Sequence, residues 1–232
     1  PGARPLDRTA ALSHLGLSLA RMGEPTRAIE VFQQLLPLQE RLFGEGSEDY
    51  ASTLINLAAV QRDSGEIASS GRTLERALQL FLEDPDSVPF EQQLITRLNL
   101  ANILNVTGQA GRAEAMMRES REQATAHWGP QHQHVVTLEY NLAELLSEQG
   151  RYDEAQELAE QTLATKREGL GEAHVLTLLT MDNLAVALAG LGRYDEALSL
   201  HERALDPLAE QLGSEHPFAL LVERHRIETL QD

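Results

Sequence analysis

Four asparagines recur at a nearly fixed interval along the chain: Asn56, Asn99, Asn141 and Asn183. A carboxamide donates and accepts hydrogen bonds at once, which suits it to hold a peptide backbone whatever the side chains. Asn102 and Asn105 follow Asn99 and add two amides to the same stretch. A second column is made of histidines, His132, His174 and His216. Their regularity suggests a ladder of metal ligands, but packed helices lie about 8–10 Å apart, whereas zinc needs its imidazole nitrogens within about 2.0–2.1 Å. These histidines are instead expected to open helices and to pack between structural repeats. His132 and His134 are close enough to share an ion but lack a third ligand. No metal and no cofactor is expected. The chain has no cysteine, which excludes thiol catalysis and cysteine-ligated zinc. It also has no glycine-rich phosphate loop, no Gly-x-Ser-x-Gly and no His-Glu-x-x-His. No catalytic constellation forms, and an enzyme is not expected.

The elements that carry these residues follow from a third column. Gly23, Gly65, Gly108, Gly150 and Gly192 each close one apolar-periodic stretch and open the next. A fixed repeat of 20 to 50 residues is the signature of a solenoid or array. Each asparagine precedes its glycine by the same distance, with His14 in that place in the first unit. A small residue follows each glycine: Ala28, Ser70, Ala113, Ala155 and Ala197. Between glycines the apolar residues fall at helical spacing, as in Leu178, Leu179, Met181, Leu184, Ala185 and Leu188. Asp195 and Glu196 then sit where acids complement the positive end of a helix. The unit is an antiparallel helical hairpin that cannot bury its apolar stripe alone, so neighbouring hairpins must stack.

Asn-Leu-Ala at 183–185, Gly-Arg-Tyr-Asp-Glu-Ala at 192–197 and Arg-Ala-Leu at 203–205 together resemble tetratricopeptide repeats. That family's usual period is 34 residues; the longer unit here corresponds to about one extra turn per helix. The leaders at 170–174 and 212–217, with the longer period, are similar to the kinesin-light-chain subtype, which is also found in bacterial signalling proteins. The resemblance implies an all-α fold, a right-handed superhelical α-solenoid of five hairpins plus a C-terminal helix. The units are expected at 7–46, 47–87, 88–131, 132–173 and 174–215, with the final helix at 217–230. The stretch 83–89, with two prolines and three acids, is the clearest loop.

In such arrays the first helix of each hairpin lines a concave groove, and the asparagine before Leu-Ala contacts an extended ligand. Carried over, the resemblance implies a peptide-binding groove made by Asn56, Asn99, Asn102, Asn141, Glu144, Asp182 and Asn183. The other reading of the column is that its amides tie one hairpin to the next. Some members hold a ligand's terminal carboxylate with a cation one turn before the asparagine. Here that position has Ser52, Ile95, Thr137 and Leu179, so no such clamp exists. Asp63, Glu144, Glu148 and Asp182 face the groove against Arg62, so a basic or neutral ligand is expected.

Acids outnumber bases 36 to 19, for a formal net charge of −17. Nucleic-acid binding depends on cations that neutralise phosphates, so neither nucleic acid nor an anionic membrane is an expected partner. No apolar run is long enough to span a bilayer, and a cytoplasmic location is expected. The chain opens on Pro1 rather than methionine, as a segment of a longer protein would. Lys166 is the only lysine, an arginine bias that points to a bacterial source. The expected role is a non-enzymatic protein–protein interaction module that binds a peptide, or a segment of another or the same polypeptide. The alternatives are a sensor array on a kinase, ATPase or transcription regulator, answering to a small peptide or metabolite, and a structural spacer.

Overall fold

The glycine column closes one recurrent turn. In the computed structural model, which describes residues 5–86 and 88–231, Gly192 has φ 75°, a left-handed conformation that other residues adopt only with strain. Its N–H bonds the Ala189 carbonyl at 2.9 Å, and the next N–H, from Arg193, reaches the Leu188 carbonyl at 2.9 Å. That pair of bonds is a Schellman closure, which satisfies carbonyls left open at the helix end. The same pair recurs at Gly23, Gly65, Gly108 and Gly150. Pro1, and Ser87 of the 83–89 loop, lie outside the described residues.

Eleven helices result, with no strand among the described residues: α1 (Pro5–Arg21), α2 (Pro25–Phe43), α3 (Glu48–Asp63), α4 (Ile67–Glu83), α5 (Phe90–Val106), α6 (Ala110–Trp128), α7 (Gln133–Glu148), α8 (Tyr152–Leu170), α9 (Val175–Gly190), α10 (Tyr194–Leu212) and α11 (Pro217–Thr229). The small residue after each glycine is enclosed where the second helix crosses the first. Ala28, Ala113, Ala155 and Ala197 are fully buried. Ser70 fits the column because its hydroxyl donates to the Ala58 carbonyl at 2.8 Å, so no polar atom is stranded there.

The histidine column starts helices. The Nδ1 atoms of His132, His174 and His216 accept from the N–H of His134, Leu176 and Phe218 at 3.4, 3.2 and 3.2 Å. Ser47 does the same for α3, accepting from Tyr50 N–H. Each satisfies a backbone donor that the first turn of a helix leaves open.

The chain forms two compact units that divide between Met116 and Met117. In the first, α1 to α5 pack in sequence, and α1 also reaches α3. Its core gathers Leu19, Ile29, Phe32, Leu35 and Leu57, with Leu54, Leu80 and Phe81 further along. In the second, α7 to α11 pack in sequence, and α9 also touches α7 and α11. Contact between each helix and the next but one is how a solenoid joins its repeats. Leu163, Leu178, Met181, Leu188, Leu208 and Val222 form that core.

Lys166 is a charged group inside the second unit. Lys166 is 0% exposed; its Nζ donates to the Pro130 carbonyl and lies 3.5 Å from Glu139. Arg121 approaches the same carboxylate at 3.4 Å. Burial raises the Glu139 pKa despite both cations, and burial lowers that of Lys166 despite Glu139. Desolvation therefore outweighs pairing for both partners, and the pair is costly to break rather than a net source of stability. Lys166→Met should lower the unfolding free energy in urea by about 3 kcal/mol, the lower end of the range for stranding a buried charge, because Arg121 remains. Adding Glu139→Gln should recover most of that loss.

Candidate functional site

Helices α7 and α9 open successive hairpins in the second unit and α11 follows them, and between the three lies a cleft of about 400 Å³. From α7 come Tyr140, Glu144, Ser147 and Glu148, spaced so that they share one helix face. Asn183 of α9 and His225 of α11 complete the walls. The Tyr152 ring, at the start of α8, lies against the backbone of Gly190, where an added Cβ would stand 2.3 Å from it.

Beneath the cleft sits a buried carboxylate. Asp182 is 0% exposed; its Oδ2 is 2.8 Å from His225 Nδ1 and its Oδ1 is 2.9 Å from Nδ1 of the equally buried His201. The His201 contact falls short of hydrogen-bond geometry, which leaves Asp182 Oδ1 and His201 Nδ1 without a hydrogen bond among the described residues. Thr229 Oγ1 stands 3.3 Å from His201 Nε2 and donates to the His225 carbonyl at 2.9 Å. This set pins α11 to α9 and α10. Burial alone would raise the Asp182 pKa, but the two imidazoles hold it below the usual carboxylate range. Burial alone would lower that of His225, but its bond to Asp182 and the attraction of that charge hold it above 6.5. On the cleft face, loss of surrounding water and then Glu148 raise the Glu144 pKa, partly offset by His225 and Arg224. Burial, Asp182 and Glu144 push the Tyr140 phenol up.

The residues expected to bind a peptide divide between the two units. Asn56 on α3 and Asn99 and Asn102 on α5 belong to the first; each is half-buried. Asn99 lines a pit with Arg62 and Ser70 that holds about 10 Å³, enough for one water at most. Arg62 is occupied by Asp63 at 2.9 Å. In the second unit Glu144 and Asn183 reach the cleft, and Asn141 stands on α7 outside its lining. Asn183 is 7% exposed and its Nδ2 donates to the Tyr140 carbonyl at 3.4 Å, a bond between hairpins. Asp182 corrects the sequence expectation: it is enclosed rather than open to a groove. Adjacent helical residues do not share a face, so the turn that brings Asn183 to the cleft sends Asp182 toward His201 and His225. Those histidines and Tyr140 were not anticipated. The signal for the histidines is that both stand outside the 132, 174, 216 column.

Antiparallel helical hairpins joined by glycine turns, with polar residues gathered on the first helices, define a helical-repeat scaffold. The profile of the tetratricopeptide repeat family matches residues 7–83, 92–168 and 135–210. The chain belongs to that family, whose fold is typically used for protein–protein interaction. No curated protein gives a significant sequence match. Among solved structures, repeats from Podosopora anserina described as nearly identical kinesin-light-chain TPR-like repeats share 20% identity, with 91% of this chain and 99% of that one covered and a TM-score of 0.77. A Rap protein complexed with Competence and Sporulation Factor matches at 14% identity over 99% of this chain and 64% of its own, TM-score 0.69. YrrB, a TPR protein with an unusual peptide-binding site, matches at 17% over 91% and 89%, TM-score 0.53. These likenesses establish the fold. No helix among the described residues is long and apolar enough to cross a membrane.

The buried set implies a stability profile with two edges. The Asp182 contribution is present above its unfolded pKa near 3.8 and is lost as pH falls through its depressed folded value. The His225 contribution is complete below 6.5 and is lost as pH rises through its raised folded value. Thermal melts should therefore show stability from this set greatest between those values. In His225→Gln the decline above pH 6.5 should be absent, while the loss in acid remains. A variant that still declines above pH 6.5 as the parent does would place the linkage elsewhere.

Proposed function

We propose that the chain is a non-enzymatic interaction module that binds an extended peptide, or a segment of another or the same polypeptide, along the first helices of its hairpins. The observation that carries this reading is the state of the amides. Asn56, Asn99, Asn102 and Asn141 are half-buried, yet their side chains make no hydrogen bond to any described residue. A half-buried amide that bonds no other part of the chain keeps its donors and acceptor available for a ligand's backbone. Asn183, already tied to Tyr140, contributes its remaining acceptor. Glu144 favours a basic or neutral ligand. Asp182 acts indirectly, by holding His225 at the cleft wall. The fold likeness to YrrB, whose description names a peptide-binding site, is in keeping with this reading.

Peptides selected from a displayed random library provide a ligand. Asn99→Ala and Asn141→Ala should each weaken the selected peptide by about 0.5–1.5 kcal/mol, the worth of one neutral hydrogen bond, with the melting temperature unchanged. The converse pattern, a lower melting temperature with unchanged affinity, would make these amides ties between hairpins like Asn183.

A further inference from the structure

The first helices of the second unit stand one packing step apart. Helix α9 packs directly on α7 and on α11, and packed helix axes lie about 8–10 Å apart. Asn183 of α9 spans the first step, since its Nδ2 bonds the carbonyl of Tyr140 on α7. His225 of α11, one period after Asn183, spans the next by bonding Asp182 of α9. A ligand laid across these helices therefore meets an equivalent position about every 8–10 Å. That spacing selects among backbone conformations. A strand presents the same face every two residues, about 6.6 Å, and an α-helix turns once in about 5.4 Å. A polyproline II helix turns once in three residues, about 9.3 Å, and so shows the same face to each step.

The cleft beside these steps has the walls that such a ligand needs. Proline-rich segments dock in aromatic-lined grooves, and two of the chain's four tyrosines, Tyr140 and Tyr152, line this one. A polyproline II backbone makes no internal hydrogen bond, so its carbonyls are open to outside donors. Ser147 is one: it is 8% exposed and lines the cleft, and its hydroxyl makes no hydrogen bond with any described residue. The oxygen of Asn183 is likewise unused, since only its Nδ2 is bonded. It accepts from an N–H, which proline lacks, so one residue in each turn of the ligand must be other than proline. The walls carry both signs of charge, because Glu144 is offset by His225 and Arg224 across the cleft. An uncharged ligand suits them.

We propose that the cleft between α7, α9 and α11 receives a polyproline II segment of repeat x-Pro-Pro, where x is any residue but proline. The x residue gives its N–H to the Asn183 oxygen, a ligand carbonyl accepts from the Ser147 hydroxyl, and the prolines pack against Tyr140 and Tyr152. The proposal rests on the reading of the first helices as a ligand-binding face, and it names the conformation and composition that one part of that face selects. A segment of this kind is ordered before it binds, so little of its binding energy is lost in straightening a flexible chain.

The test titrates blocked peptides of equal length into the full chain and follows them by amide NMR: repeats of Ala-Pro-Pro, repeats of Ala-Gly-Ser, and oligoproline. The Ala-Pro-Pro probe should give saturable shifts centred on residues 140–152 and 183–190. Ala-Gly-Ser, which is flexible, should bind at least tenfold more weakly. Oligoproline, which keeps the conformation and lacks every N–H, should bind about two- to tenfold more weakly, the worth of one neutral hydrogen bond. Ser147→Ala should weaken Ala-Pro-Pro by a similar factor while melting at the same temperature as the parent or higher, since it strands no partner. Equal binding of Ala-Pro-Pro and either control, the absence of saturable binding, shifts that lie outside the cleft, or a Ser147→Ala variant that binds as the parent does would each overturn the proposal. These outcomes leave the asparagine reading standing, because Asn99→Ala and Asn141→Ala are judged on library-selected peptides. Failure of those variants, with the Ala-Pro-Pro titration intact, would overturn the asparagine reading alone.

Discussion

No hairpin of this chain can bury its own apolar stripe, and the architecture follows from that deficit. A pair of antiparallel helices leaves one side of its stripe exposed, so the next hairpin must cover it. In the second unit α9 meets this demand from α8 and α10 and also from α7 and α11. Eleven of its sixteen residues are buried as a result, Asp182 and Asn183 among them. Such a helix cannot expose much side chain, and whatever polar group it carries must be satisfied by neighbouring hairpins. Asp182 takes histidines from α10 and α11, and Asn183 takes a carbonyl from α7. Polar contacts between repeats are thus consequences of stacking, and they fix which repeat faces which.

The same constraint decides where ligand chemistry can sit. Turn-closing glycines and the small residues after them are used up by helix crossing, and the histidine column by helix capping. What remains adaptable is the face of each first helix turned away from its own hairpin partner, together with the ends of those helices. In α7 Glu144 and Glu148 are exposed on the cleft face, outside the stacked core.

The fold was legible because its determinants are local and repeated. The Gly-Arg-Tyr-Asp-Glu-Ala turn at 192–197 states a left-handed closure, a helix start and a close helix crossing in six residues, and each of these has its own physical signature. The cap role of His132, His174 and His216 was legible in outline for the same reason. Residues that act once rather than five times were not. Lys166 read as a trace of composition, yet it is buried beside Glu139 and bonded to the Pro130 carbonyl. His201 and His225 read as nothing, since a single histidine carries no periodic signal and its partner lies in a different hairpin. Asp182 was assigned to the face of its neighbour Asn183, an inference by adjacency that the roughly 100° turn between successive helical residues overrules.

Regularity and its local violation therefore carry different information. Where a residue repeats with the period, stacking or capping explains it, and substitution is expected to act on stability. Where the pattern is broken at a cost that folding does not require, the explanation must lie outside folding. The buried His201–Asp182–His225 set breaks the pattern but finds its partners within the chain, so it belongs to the fold: it fastens the last helix to the two before it. Glu144 and Glu148 at the end of α7 instead stand exposed on the cleft face, outside the stacked core. That contrast separates an anchor within the fold from a face left open to solvent.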